Sequence, residues 1–171
     1  RELRAPADNL YALFENKEEI FLEICSEDFI SLRRAFNEIA GIEDPVARLK
    51  ESGRAYLKFA FEHPNQYRLM FMTMKTAELS PDQSKIERGN PDEDAYAFLR
   101  GIIAECMAAN RLSHSSNDPD LIAQMMWAGV HGIIVLHMTH ASDPWIEWRP
   151  ITDTVDLLMD AMIRGLAPRE T

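Results

Sequence analysis

An all-helical fold is what this sequence predicts, and three observations carry the prediction. Only 7 glycines stand among 171 residues that are 46% hydrophobic and rich in Leu, Met, Ala and Glu, a composition that favours helix and a packed interior. Runs of Val and Ile are nearly confined to Gly132–Val135, which leaves little material for strands. Apolar residues also recur at helical spacing over long stretches, and Asp-Pro pairs and polar breaks punctuate them as helix openings and ends do.

In chain order, Arg1-Glu2-Leu3 reads as the tail of a helix whose beginning is absent, and Pro6 suits the first position of a short helix running to about Phe14. Leu10, Leu13 and Phe14 give that helix one packing face. Asn16 caps a second helix with Glu18 and Glu19 in its first turn. Phe21, Ile24, Cys25, Phe29, Leu32, Phe36 and Ile39 carry the second helix to an expected end near Gly41. Asp44-Pro45 opens the next helix, through Leu49, Tyr56, Leu57, Ala60 and Phe61, until Pro64 stops it. Asn65 is expected to cap a short helix to about Met74, so apolar that it should be largely enclosed. The segment from Thr76 to Asp94 is polar and Pro-bearing and reads as a surface loop. A helix then runs from Pro91 or Glu93 to about Asn110, with Tyr96, Leu99, Ile103, Cys106 and Met107 on one side. Asp118-Pro119 opens another to about Thr139, and Ile151 begins the last, to about Leu166.

Cys25 and Cys106 fall in apolar periodic stretches, where they read as small buried hydrophobes rather than a bridge, which suits a cytoplasmic protein. No apolar run reaches the roughly 18 residues of a membrane span, because His131 and His137 interrupt the longest candidate, Met125–Met138. A net charge of -10 opposes nucleic-acid binding by the body of the chain. Residues 1–17 set Arg1, Arg4 and Lys17 against Glu2, Asp8 and Glu15, so the whole acidic excess lies beyond them.

The stretch LYALFENKEEIF, Leu10 to Phe21, resembles the end of the DNA-binding domain in the TetR family of bacterial one-component regulators, through Leu10, Tyr11, Phe14, Asn16, Lys17, Glu18, Glu19, Ile20 and Phe21. WAGVHG, Trp127 to Gly132, resembles the Trp and His-Gly signature of one subclass of that family's C-terminal domains, as do Asp44-Pro45 and His63–Phe71. The resemblance implies residues 1–16 as the remnant of a helix-turn-helix domain and residues 17–171 as an effector-binding and dimerisation domain. It implies DNA contact by Tyr11, Lys17 and Asn9, the ammonium and hydroxyl gripping phosphate beside a helix N-terminus. Leu13 stands where many relatives carry a basic or imidazole side chain, and Asp8 where they carry a small one. The helices expected before the recognition helix are absent, so the sequence reads as part of a longer regulator, and operator DNA is a partner of the full-length protein.

Aromatic and thioether side chains concentrate in the larger region, and 9 methionines suit a cavity that adapts to an apolar or amphipathic effector. Tyr67, Met70, Phe71, Trp127 and His131 are its expected lining, with His131 as the polar handle; each reads equally as core. For a homodimer interface the expected stripes are Ile122, Met126, Gly129, Ile133 and Leu136 on one helix, and Ile151, Val155, Leu158, Met162 and Leu166 on the next. An intramolecular helix pair would use the same pattern.

No Glu-x-x-His, His-Glu-x-x-His, Cys-x-x-Cys, Gly-x-Ser-x-Gly or glycine-rich phosphate loop is present, so neither an enzyme nor a metal or other cofactor is expected. His137 and His140 stand three apart near a helix end and read as solvent-facing. Asp153, Asp156 and Asp160 read as a solvated stripe. The expected function is a repressor that releases operator DNA when an effector binds. The alternative is a helical ligand-binding or interaction module with no DNA role.

Overall fold

Each element follows from a local start signal. The structure, a computed structural model, describes residues 17–73, 86–114 and 117–168. Asn9 and Tyr11 lie outside the described residues, as does the side chain of Lys17. Within them stand six helices and no strand: α1 (Lys17–Ala35), α2 (Pro45–Glu62), α3 (Pro64–Met72), α4 (Ala95–Ala108), α5 (Pro119–His140) and α6 (Ile151–Leu166). Asp44, Asp94 and Asp118 each hold an extended backbone and accept hydrogen bonds from first-turn amides, Ala47 N at 3.0 Å in the first case. Such a cap contributes about 1 kcal/mol. Pro45 and Pro119 follow directly, where a missing N–H costs nothing.

Three boundaries differ from expectation. α1 ends at Ala35 rather than near Gly41, and the chain continues in turns whose amides reach back three residues, as in Ile39 N to Phe36 O and Ile42 N to Ile39 O. Three-residue winding eclipses Phe36 and Ile39, so both enter the core. Asn65 is not a cap: Pro64 itself opens α3, with His63 before it, and the helix is only half enclosed, burying Tyr67 and Met70 while Met72 is exposed. α4 begins at Ala95 on the Asp94 cap and buries Phe98, Ile102, Ile103 and Cys106, a face rotated from the one expected.

α2 touches all five other helices and supplies the deepest side chains, Leu49, Phe59 and Ala60. Its seam with α6 is close because a side chain at Gly53 would meet Met159 Cγ at 3.2 Å. Beside that seam Arg54 grips Asp156 with two bonds of 2.7 and 2.8 Å, and Lys50 pairs with Asp160. The acidic stripe of α6 is therefore partnered, contrary to expectation, and hydrogen bonds from Arg54 and Lys50 hold the Asp156 and Asp160 carboxyls below their ordinary range. Exposed as they are, such pairs set helix register more than stability.

α5 also corrects the expectation about apolar length. Over its 22 residues an 18-residue window has a mean hydropathy of 1.5, enough to cross a membrane by length and composition. In the fold Ile122, Ala123, Met126, Val130 and Ile134 are buried against the body. The two histidines interrupt the run without making it polar. Cys25 and Cys106 are buried, and burial pushes the Cys106 thiol up to about 11.

Candidate functional site

A cavity of about 110 Å³ lies where the helices meet, and its wall is drawn from all six. α1 contributes Phe29 and Leu32, one turn apart, and the turn that follows it contributes Phe36. α2 adds Ser52, Gly53 and Tyr56, and α3 adds Phe71. Asp94, Ala95, Tyr96 and Leu99 close one side, Met126, Trp127 and Val130 of α5 another, and Met159 of α6 the floor beside Gly53. Of the expected lining, Phe71 and Trp127 face the cavity, whereas Tyr67, Met70 and His131 stand outside its wall. Tyr56 was legible only as one of many aromatics. Ser52, Tyr96 and Met159 carried no local signal, since they reach the cavity only through the packing of α2, α4 and α6.

Tyr67 and His131 form a second layer that supports the wall. Trp127 Nε1 donates to the Tyr56 hydroxyl at 3.0 Å, and the Tyr67 hydroxyl lies 2.6 Å from His131 Nδ1. Tyr56 lies 3.3 Å from the same nitrogen and also bonds the Tyr67 hydroxyl. Burial holds His131 below its ordinary pKa, so the ring is neutral at neutral pH. Trp127, Tyr56, Tyr67 and His131 thus form one hydrogen-bonded chain, in which the direction of the bond between Tyr67 and Nδ1 follows the imidazole tautomer. Burial pushes the Tyr56 phenol up to about 12 and Tyr67 further still, so neither ionises near neutral pH. Edge-to-face contacts of Phe71 with Tyr56, Trp127 and His131, at 5.6–5.9 Å between ring centres, brace the same cluster.

Two results follow from this chain. Tyr67→Phe removes the hydrogen-bonding partner of Nδ1 in a fully buried position, and chemical denaturation is expected to show a loss of about 1–3 kcal/mol. The pH dependence has a definite sign: the unfolded imidazole takes up a proton near its ordinary 6.5, while the folded ring resists until lower pH. Stability is therefore full above that value and falls as the pH drops from it toward the folded pKa. Urea midpoints across this window should fall more steeply for the parent than for His131→Gln.

Every polar group on the cavity wall is already engaged. Ser52 Oγ donates to the Leu49 carbonyl at 2.7 Å, and the Tyr96 hydroxyl donates to Asp120 at 2.9 Å. Asp94, the one carboxylate there among the described residues, accepts from Tyr96 N and Ala97 N with one oxygen and from Gly89 N with the other. Nothing in this wall is an activated nucleophile or a free base. Among the described residues no group of three His, Cys, Asp or Glu is placed to hold a metal. His137 packs between Phe61 and Trp148, and His140 bonds Thr139.

α1 is fastened to this site by polar contacts as well. Arg33, 6% exposed, donates through Nε to the Pro91 carbonyl and through Nη1 to Asn37 at 2.8 Å, with its guanidinium 4.3 Å above the Phe98 ring. Gln66 of α3 donates to Asp28 of α1 at 2.8 Å, and the second oxygen of this buried carboxylate has no partner.

Residues 49–164, which run from α2 into α6, match a family of domains described as tetracyclin repressor-like, C-terminal domain. The chain belongs to this family. The match leaves the Trp and His-Gly subclass an expectation. Tetracyclin repressor-like architecture recurs in solved structures. One is a protein of unknown function from Rhodococcus sp. RHA1, with a TM-score of 0.72 and 23% identity over 91% of this chain and 75% of that one. Another is SCO4313, a candidate regulatory protein, with a TM-score of 0.60 and 18% identity over 94% of this chain and 78% of that one. At these identities the likeness is one of fold. Among curated proteins none matches the chain.

In this tetracyclin repressor-like body the expected dimer stripes occupy other places. Ile122, Met126 and Val155 are buried inside the chain, and Gly129 lies against Leu158 and Met162, where an added Cβ would come within 3.0 Å of Leu158. Ile133 is half-buried, and Leu136 alone of the expected set is exposed. Gly129, Leu158 and Met162 thus meet in the seam between α5 and α6. The outward faces instead carry Leu121, Met125 and Leu136 of α5 and Leu157 of α6, and a side chain at Gly132 would meet nothing within 4 Å.

Proposed function

We propose that this chain is the sensing and dimerising part of a cytoplasmic, non-enzymatic transcriptional repressor whose operator affinity falls when a small apolar effector enters the cavity. The observation that carries this reading is that Phe29 and Leu32 of α1, with Phe36 just past its end, form one wall of the cavity. α1 is also the helix that follows residues 1–16, assigned here to a DNA-reading domain in which Asn9, Tyr11 and Lys17 contact phosphate. A molecule in the cavity presses directly on α1, and Arg33 and Asp28 pass the displacement to the 86–94 segment and to α3. The effector shifts the population of α1 positions by its differential affinity for them. Tyr67, Met70 and His131 act here by stiffening the wall behind Phe71 and Trp127.

Dimerisation in this reading uses the outer face of α5 and α6, through Leu121, Met125, Leu136 and Leu157, so that two chains form a four-helix bundle. Family membership and the exposed apolar stripe support it. The test is operator affinity of the full-length protein, measured on its own promoter at low salt with and without effector. Binding that weakens with effector is expected; no binding at low salt sinks the repressor reading in favour of a ligand-binding module without a DNA role.

A further inference from the structure

We infer that the cavity selects a neutral, single-ring aromatic hydrocarbon and discriminates against organic ions of the same size. The inference rests on the cavity being the effector site proposed above. Six rings, Phe29, Phe36, Tyr56, Phe71, Tyr96 and Trp127, surround a volume of about 110 Å³. A dry apolar cavity of about 150 Å³ is known to take benzene, so the space suits one ring rather than a fused system. Phe71 already meets Phe29 at 82° and Trp127 at 68°, and an aromatic guest extends that edge-to-face array. Met126 and Met159 adjust to its outline.

Charge is excluded by what the polar groups are doing. An anion would face the Asp94 carboxylate and find no free N–H, because the Trp127 donor is held by Tyr56. A cation would find aromatic faces, yet the Asp94 carboxylate is bound by three backbone amides, Gly89, Tyr96 and Ala97, at the start of α4. An anion would shed its hydration without a partner to replace it, and a cation would exchange its hydration for ring faces alone, since the Asp94 oxygens are already bound.

The test is calorimetric titration of the full chain at neutral pH with toluene, benzylammonium and benzoate. Toluene is expected to bind at least about tenfold more tightly than either ion, and Val130→Phe, which fills the cavity, to weaken toluene by a similar factor. Should that variant fold poorly, the parent protein still decides the matter: toluene should shift the methyl NMR signals of Met126 and Met159 and leave that of exposed Met72 in place. Benzoate or benzylammonium binding as tightly as toluene, no toluene binding, or toluene binding that leaves both cavity methyls unmoved overturns the inference. Toluene held in the cavity without effect on operator affinity would overturn the repressor reading and keep the ligand class.

Discussion

Leu157→Asp is expected to leave the chain monomeric in light scattering at micromolar concentration, where the parent is expected to be a dimer. Leu157 is 66% exposed at the middle of α6, and Leu136 is 53% exposed on α5. Neither contributes to the chain's own core, so the substitution should leave the helical circular dichroism and the denaturation midpoint of the monomer nearly unchanged. A carboxylate at the centre of a bundle seam would be desolvated without a partner, which is strongly unfavourable to association. By contrast, Val155→Asp, two residues away on the opposite face and fully buried, should unfold the chain itself. A parent that is monomeric, or a dimer indifferent to Leu157→Asp, would place the interface elsewhere.

The second large effect is expected at Arg33. Arg33→Ala removes charge-assisted bonds to Pro91 and Asn37 and the stacking on Phe98 together. Burial lowers the pKa of this guanidinium while Asp92 at 3.7 Å raises it, so its charge is retained by its partners rather than by solvent. The loss should reach about 2–4 kcal/mol in urea denaturation. A second consequence separates coupling from packing. With the tie between α1 and the 86–94 segment cut, effector should still bind the cavity, but its influence on operator affinity should shrink. A variant as stable as the parent would show that these contacts carry little energy.

The starts of α2 and α5 were legible because each is written in two adjacent residues. Asp44-Pro45 and Asp118-Pro119 place the acceptor and the pre-set φ side by side, and no tertiary contact is needed to read them. The end of α1 was not legible, since Phe36 and Ile39 fit a continued α-helix in spacing, and only the core decides that tighter winding buries both. Asn65 misled for a related reason: an Asn after Pro is a good cap in isolation, but Pro64 already satisfies the first-turn geometry. The cavity was half legible. Phe71 and Trp127 announce themselves by size, whereas Ser52, Tyr96 and Met159 become neighbours only once helices far apart in the sequence pack. The dimer stripes show the limit of periodicity, which identifies an apolar face and says nothing about whether the chain's own next helix or a second copy covers it.

The central claim is that an occupant of the cavity moves α1. Its most direct test is a pulsed electron–electron distance between nitroxides at positions 27 and 62, exposed sites on α1 and α2, with Cys25 and Cys106 replaced by Ala. Saturating toluene is expected to shift the distance distribution in the parent and to leave it in place in Val130→Phe. A cavity shown by calorimetry to be occupied, with the distance between α1 and α2 unchanged, would contradict the account.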